Sequence, residues 1–235
     1  MSLSLSHGKT LDVGHYGIAQ DDLSPMDAGT IELRQWFKDG EGNLPDPARP
    51  IELEIGSGKG TFLVQQAKLN PGVDYLGIEW AKAFWRYAAD RVRRHGLENV
   101  RLLRCDAAVF IRHYVSDQTF RQVHIYFPDP WPKKRHHKRR LIQAPFLREL
   151  HRVLVPMSAA GEADAVTARV RIATDHEDYF QWMREHTEQV ADLFEVEPFE
   201  SPESAGEGEL VGTNFERKYR QEGRSFYGMV LKKRS

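Results

Sequence analysis

The sequence predicts an α/β protein with a mostly parallel sheet. From Ile51 onward, short apolar runs alternate with longer amphipathic stretches, which is typical of successive βαβ units. A Gly-rich turn follows the first apolar run. The chain has 235 residues, 40% of them hydrophobic, which is enough to bury the core of one main domain. We therefore expect residues 51–235 to form that domain and residues 1–50 to form a partly irregular N-terminal extension.

The elements can be predicted in order from their hydrophobic patterns. The apolar runs predict strands over residues 51–55, 75–78, 100–104, 123–127 and 170–173. Helical spacing of apolar residues predicts helices over residues 81–95, 142–154 and 177–193, the first of them stopping at Gly96. After residue 212 we expect a short helix and then a strand over residues 225–231. This last strand can return beside residues 194–196 as an antiparallel edge strand.

Two segments look less regular. The first fifty residues are polar and interrupted by prolines, so only residues 31–37 are expected to pack. Residues 157–167 consist largely of small residues and are interpreted as a loop insertion.

Composition narrows the class of protein. The single cysteine, Cys105, cannot form a disulfide within the chain or build a Cys-rich metal site, so we expect a cytoplasmic protein without a metal. No apolar run approaches the roughly 18 residues that a membrane span needs. The net charge of -1 hides an uneven distribution, because residues 133–140 contain six Lys or Arg, two His and no acid. Whether the protein is a monomer or a homodimer stays open.

The Gly-rich turn has the sequence Gly56-Ser-Gly58-Lys-Gly60 and follows the strand that contains Glu54. Glycines let a backbone approach a ligand closely, although such a turn can also be a simple strand-to-helix connection. The spacing lacks the last glycine of the dinucleotide fingerprint and the ending of a phosphate-binding loop. The turn therefore favours a ligand other than a nucleotide polyphosphate.

Acidic side chains lie in or directly after four successive predicted strands: Glu54, Glu79, Asp106 and Asp129. Any one of them can be a helix cap, but ligands of open α/β sheets bind at the carboxyl ends of the strands, where the four carboxylates would converge. Such a crevice repels phosphates and suits a cation rich in hydrogen-bond donors, as S-adenosylmethionine is.

A basic segment follows the fourth of these acids. Asp129 lies between two prolines that restrict its backbone, Trp131 offers a ring face, and the cations of residues 133–140 come next. A run of this kind is often a solvated loop. Placed beside a cofactor site, it would provide the phosphate contacts that a polynucleotide needs.

These motifs resemble the bacterial tRNA (guanine-N7)-methyltransferases. The resemblance rests on residues 53–56 with the turn behind them, Gly77-Ile-Glu79, Pro128-Asp-Pro-Trp131 with its basic tail, Ala173-Thr-Asp175 and Thr213-Asn-Phe-Glu216. It implies a class I methyltransferase (Rossmann-like) sheet with helices on both faces. It also implies transfer of a methyl group from S-adenosylmethionine to N7 of a guanosine in the tRNA variable loop.

The resemblance also implies roles for individual residues. Cofactor contacts are expected from Glu54, Gly56, Glu79, Asp106 and Asp129, with Asp129 also catalytic. Substrate contacts are expected from Lys133, Asp175, Thr213, Asn214, Phe215 and Glu216. RNA contacts are expected from Arg135, Lys138, Arg139 and Arg140.

Alternatives stay open at this point. Thr213 and Glu216 also match a capping box, in which both side chains serve the start of a helix. A methyltransferase for a small molecule or a protein would share the cofactor acids but has no use for the basic segment. An RNA-binding module with a degenerate methyltransferase fold would use that segment but not the acids.

Overall fold

The computed structural model describes residues 10–39, 41–156 and 168–234. Residues 1–115 and residues 116–235 form two compact units, which we call unit 1 and unit 2. The predicted insertion at residues 157–167 lies outside the described residues. None of the helices in the described ranges is long and apolar enough to cross a membrane.

Unit 1 contains parallel strands in the order β1-β4-β3-β2. Its strands and α-helices are β1 (Gly17–Ala19), β2 (Ile51–Ile55), α1 (Thr61–Leu69), β3 (Asp74–Ile78), α2 (Lys82–His95), β4 (Val100–Arg104) and α3 (Ala107–Tyr114). Short 3-10 helices lie before β2, at residues 14–16, 20–22, 26–28 and 33–37.

The core of unit 1 explains why these segments form the predicted elements. Every residue of β2 and β3 is buried, including Glu52 and Glu54 of β2 and Asp74 of β3, so both strands lie in the core with their apolar residues. Helix α2 packs Trp85, Ala88 and Val92 into a cluster with Leu102 of β4. The helix ends at Gly96, whose φ of 60° is left-handed, as predicted.

The N-terminal extension is more ordered than its composition suggests. Residues 17–19 form β1, which pairs in parallel with β4, and Tyr16 is buried beside them. Arg101 stacks on the rings of Tyr16 and Phe37, at 5.4 and 5.5 Å. The expectation that only residues 31–37 pack was therefore wrong, because a strand of three residues is too short to show a periodicity.

Unit 2 contains strands in the order β5-β6-β8-β7, of which β5 and β6 are parallel and β8 runs antiparallel to both of its neighbours. Its elements are β5 (Phe120–Tyr126), a 3-10 helix (Lys134–Arg139), α4 (Ala144–Val153), β6 (Arg169–Thr174), α5 (Glu177–Glu188), β7 (Phe194–Pro198), α6 (Asn214–Arg220) and β8 (Tyr227–Lys233). The expected antiparallel return of the last strand beside residues 194–196 is confirmed, but β8 lies between β6 and β7, so β7 is the strand at the edge.

The predicted strands agree with the observed ones to within three residues at each end. The main error is helix α5, which ends at Glu188 and not at Leu193. The backbone forms 3-10-type turns there: the N–H of Val190 donates to the carbonyl of Thr187, and the N–H of Leu193 donates to the carbonyl of Val190. These bonds to the third preceding residue end the α-helical pattern, although Val190 itself is buried.

Candidate functional site

Glu54 is the most unusual residue of unit 1. It lies in β2 with a buried side chain, and its Oε2 has no hydrogen-bond partner among the described residues. Burial raises the pKa of this carboxyl to about 8, and the nearby charge of Glu79 adds to the shift. A ligand that brings positive charge or hydrogen-bond donors would satisfy this oxygen.

The glycine turn beyond β2 leaves room for such a ligand. Gly56, Gly58 and Gly60 have left-handed φ values of 78°, 53° and 65°. A Cβ atom on Gly56 would meet nothing within 4 Å, so the space over the backbone is open there. The hydroxyl of Ser57 is buried without a partner in the described chain. Ser57 was not predicted as a site residue, although its place between two glycines is a signal for it.

Glu79 follows β3 and connects that strand to the same turn. Its Oε2 accepts from the backbone N–H of Gly58, and its Oε1 accepts from that of Ala81, both at 2.8 Å. A carboxylate oxygen can accept more than one hydrogen bond, so these two bonds do not by themselves exclude a ligand. The structure thus gives Glu79 a local role in addition to the predicted one.

Asp106 follows β4 and is exposed. It caps α3, where its Oδ1 accepts from the N–H of Val109 at 3.0 Å. Its neighbour Cys105 is buried, and burial raises the pKa of the thiol to about 11. The helix-cap interpretation is confirmed for Asp106, and the cofactor contact stays a prediction.

Asp129 lies in unit 2, in the loop after β5, with an exposed side chain. The residues on either side of the Pro-Asp-Pro unit are strained, because Phe127 and Trp131 have φ values of 53° and 44°. Such conformations cost about 1–3 kcal/mol each and are often retained at functional sites. Asp129 therefore lies in a loop with a strained residue on each side, Phe127 before it and Trp131 after it.

The basic segment begins at Lys133 and continues as the 3-10 helix at residues 134–139. Its exposed cations are Lys133, Lys134, Arg135, Lys138 and Arg139. The ring of Trp131 contacts the guanidinium of Arg139 at 5.0 Å and the ring of His136 at 5.9 Å. No cluster of three His, Cys, Asp or Glu suited to a metal ion occurs within the described ranges.

Arg140 does not fit its predicted role in RNA binding. Its side chain is 1% exposed, and its guanidinium lies 5.0 Å from the ring of Tyr179 and 5.3 Å from that of Trp182. The guanidinium also pairs with Asp178, and Nε donates to the carbonyl of Pro130 at 2.8 Å. So little of the side chain is exposed that the structure does not support a phosphate contact by Arg140, and its role in RNA binding stays an untested prediction.

Glu216 also differs from its predicted role in substrate binding. Its side chain is fully buried, and its carboxylate accepts from the N–H groups of Leu210, Val211 and Gly212 and pairs with Arg220. These bonds organise the loop before α6. They also hold the pKa of Glu216 below its usual value, although burial alone would raise it. Direct contact of Glu216 with a substrate is therefore not supported.

The remaining predicted substrate residues lie near the surface of unit 2. Thr213 caps α6, with its Oγ1 accepting from the N–H of Glu216 at 3.1 Å, so this half of the capping box is confirmed. Asn214 and Phe215 are exposed, and the ring of Phe215 stacks on that of Phe127 at 4.8 Å. This stack connects the start of α6 to the strained loop.

Asp175 carries an ion pair that the sequence pattern did not reveal. The guanidinium of Arg224 lies 2.8 Å from its Oδ2 and 3.7 Å from the ring centre of Tyr219. Arg224 is far from Asp175 in sequence, and only the fold brings the two together. A substrate that uses Asp175 has to compete with this partner or bind both.

Comparison with known proteins identifies the family. A family model described as "Putative methyltransferase" matches residues 48–229. The tRNA (guanine-N(7)-)-methyltransferase of Alkalilimnicola ehrlichii is 35% identical over 191 residues, which cover 79% of this chain and 73% of that protein. The chain belongs to the tRNA (guanine-N7)-methyltransferase family.

Further matches agree with this family. The tRNA (guanine-N(7)-)-methyltransferase of Streptococcus thermophilus is 33% identical over 178 residues, covering 76% of this chain and 78% of that protein. A crystal structure of a SAM dependent methyltransferase from Aquifex aeolicus superposes with a TM-score of 0.50 at 17% identity, covering 88% of this chain and 96% of that one. The expected Rossmann-like methyltransferase fold is confirmed.

From the raised pKa of the buried Glu54 carboxyl we predict how the free energy of unfolding of this protein depends on pH. The unfolded chain releases the Glu54 proton near its ordinary pKa of 4.5, whereas the folded chain holds it to about pH 8. Stability from this group is therefore lost as the pH rises between these values. Each pKa unit corresponds to about 1.4 kcal/mol, so the loss amounts to a few kcal/mol. Glu54→Gln should remove this loss.

The measurement is urea unfolding of both proteins at pH 5 and at pH 8.5. The exposed Glu185→Gln is the matched control and should follow the wild type. Equal pH dependence in the wild type and Glu54→Gln would contradict the assignment of a raised pKa to Glu54.

Proposed function

We propose that this protein transfers a methyl group from S-adenosylmethionine to N7 of a guanosine in the tRNA variable loop. The observation that carries the proposal is the buried carboxyl of Glu54, whose Oε2 has no hydrogen-bond partner among the described residues, next to an open glycine turn in a chain of this family. That combination suits a cationic ligand that approaches the backbone closely. We also propose that the protein works in the cytoplasm with tRNA as its partner.

The residues of unit 1 fit the cofactor. S-adenosylmethionine, when bound, supplies a methyl group activated by a positively charged sulfur, which guanine N7 can accept in an in-line displacement. Glu54 would accept hydrogen bonds from the cationic part of the ligand. Glu79 and Asp106 would add acceptors, and Gly56 would let the ligand approach the turn. The free hydroxyl of Ser57 would provide a further polar contact.

Asp129 is proposed to act on the guanine. Attack of the N7 lone pair on the methyl carbon would leave the electrons of the broken bond on the sulfur and a positive charge on the purine ring. N7 carries no proton, so no general base is needed. An ionised Asp129 would accept hydrogen bonds from the N1 and N2 donors of the base and stabilise its developing charge. A cofactor contact by Asp129 is compatible with this role.

The surface of unit 2 is proposed to hold the RNA. Phosphates would be bound by the exposed cations Lys133, Arg135, Lys138 and Arg139, which lie directly after the Asp129 loop. Thr213, Asn214 and Phe215 would contact the nucleotide from the start of α6. Asp175 would contribute together with Arg224, because the two are already paired.

The direct test is methylation of unmodified tRNA followed by nucleoside analysis. We expect 7-methylguanosine from the wild type. Asp129→Asn should lower the single-turnover rate about a hundredfold to a thousandfold, because one preorganised charge is removed and an acceptor becomes a donor. Its affinity for the cofactor should change less. A wild type that leaves tRNA unmethylated would refute the proposed function, and a fully active Asp129→Asn would refute the role of Asp129.

The basic segment predicts a steep dependence of tRNA affinity on salt. Replacing Arg135, Lys138 and Arg139 with Ala should flatten the slope of log affinity against log salt by about 0.7 to 0.9 for each phosphate that the variant no longer neutralises. The control triple variant carries Lys68→Ala, Arg148→Ala and Arg184→Ala, which removes the same charge from exposed positions elsewhere. Equal slopes in the two triple variants would show that RNA binds another surface.

A further inference from the structure

Arg140 closes the loop that carries Asp129 and the basic segment. Its Nε donates to the carbonyl of Pro130, ten residues earlier, and its backbone N–H donates to the carbonyl of His137. One side chain thus connects the end of the segment to its beginning. Pro130 follows Asp129 directly, so the bond fixes the Pro130–Trp131 peptide, one residue after the proposed catalytic carboxylate.

Helix α5 holds this arginine in place. The guanidinium contacts the rings of Tyr179 and Trp182 and pairs with Asp178, and these three residues all belong to one part of α5. Both rings are fixed by hydrogen bonds to the backbone of Ile142. Trp182 Nε1 donates to the carbonyl of Ile142, and the hydroxyl oxygen of Tyr179 accepts from the N–H of Ile142. The loop is therefore connected through Arg140 to a helix and not only to its own residues.

The chemistry of this contact requires an arginine. A guanidinium is planar, so it can stack on aromatic rings while its edge donates to a carbonyl and a carboxylate. A lysine could reach one acceptor but could not reproduce the stack. Arg140 therefore differs from the exposed cations just before it, whose charges face solvent.

The strained backbone of the loop needs a contact that fixes it, and the bond from Arg140 to Pro130 is such a contact. Phe127 and Trp131 hold left-handed conformations on either side of the Pro-Asp-Pro unit, and such conformations persist only where the surroundings fix them. The Pro130 carbonyl lies between Asp129 and Trp131. Its bond to Arg140 fixes the backbone at the point where the strain is concentrated.

We propose that Arg140 is a positioning residue for Asp129, which holds the carboxylate in its working orientation through the Pro130 carbonyl and does not itself bind RNA. The inference rests on the proposed function of Asp129. Its structural part, the fixing of the loop, does not depend on any substrate.

The test compares Arg140→Met, Arg140→Lys and Arg139→Met with the wild type. Displacement of a catalytic group by about 1 Å can lower a rate on the order of a hundredfold, so Arg140→Met should lower the single-turnover rate at saturating tRNA by about that factor. The affinity for tRNA and its salt dependence should stay unchanged. Arg140→Lys should recover part of the rate. Arg139→Met should show the opposite pattern, with weaker tRNA binding and a nearly normal rate at saturation.

Hydrogen exchange separates failure of this inference from failure of the proposed function. The loop amides of Phe127 and His136, which donate to the carbonyls of Ala173 and Lys133, should exchange faster in Arg140→Met than in the wild type, whether or not tRNA is methylated. Asp178→Ala removes an exposed partner of Arg140 and Asp178→Asn removes only its charge, so both leave the core unchanged and provide second variants should Arg140→Met not fold. They should produce smaller changes in the same direction.

Two results would overturn the proposal. One is unchanged exchange of the loop amides in a folded Arg140→Met, or in Asp178→Ala if Arg140→Met does not fold. The other is a wild-type rate at saturation combined with weaker, less salt-dependent tRNA binding, which would make Arg140 a phosphate contact.

Discussion

The buried carboxyl of Glu54 is the constraint on which the proposed chemistry of unit 1 depends. A polar group removed from water without a partner is costly, and a buried carboxyl avoids part of the cost by keeping its proton. The described residues around Glu54 provide no hydrogen bond to its Oε2, and Glu79 adds a charge of the same sign. The open space over Gly56 shows where a compensating ligand can approach. The site is thus arranged for a partner that the described residues do not supply.

The charged side chains of unit 2 fall into two groups, one buried and one exposed. Arg140 and Glu216 are buried and fully engaged, so each shapes a loop: one after β5 and the other before α6. Lys138 and Arg139, by contrast, are exposed and available to phosphates. Neighbouring arginines in one basic run therefore differ in burial, a difference that net charge or motif alone would not reveal.

The sequence predicted the sheet well because its signals are local. Strand β2 and the strands after it are short apolar runs between turns, and Gly96 ends α2 by a backbone rule. The predictions were poorer where distant residues decide. Strand β1 forms because it pairs with β4, and the burial of Arg140 depends on rings of α5 some forty residues away. The ion pair of Asp175 with Arg224 is equally invisible in a linear pattern. The positions of Glu54, Glu79 and Asp106 at or beyond their strands were predictable, whereas the protonation of Glu54 required its burial to be known.

The most direct test of the central claim is the number of protons released when S-adenosylmethionine binds. A cation that pairs with Glu54 favours the ionised carboxyl, so binding near pH 6.5 should release up to about one proton, and the release should decline above pH 8. Calorimetry in two buffers of different ionisation enthalpy measures this number. Glu54→Gln should lack this component of the release. Binding to the wild type without proton release, or with the same release as Glu54→Gln across this pH range, would contradict the account.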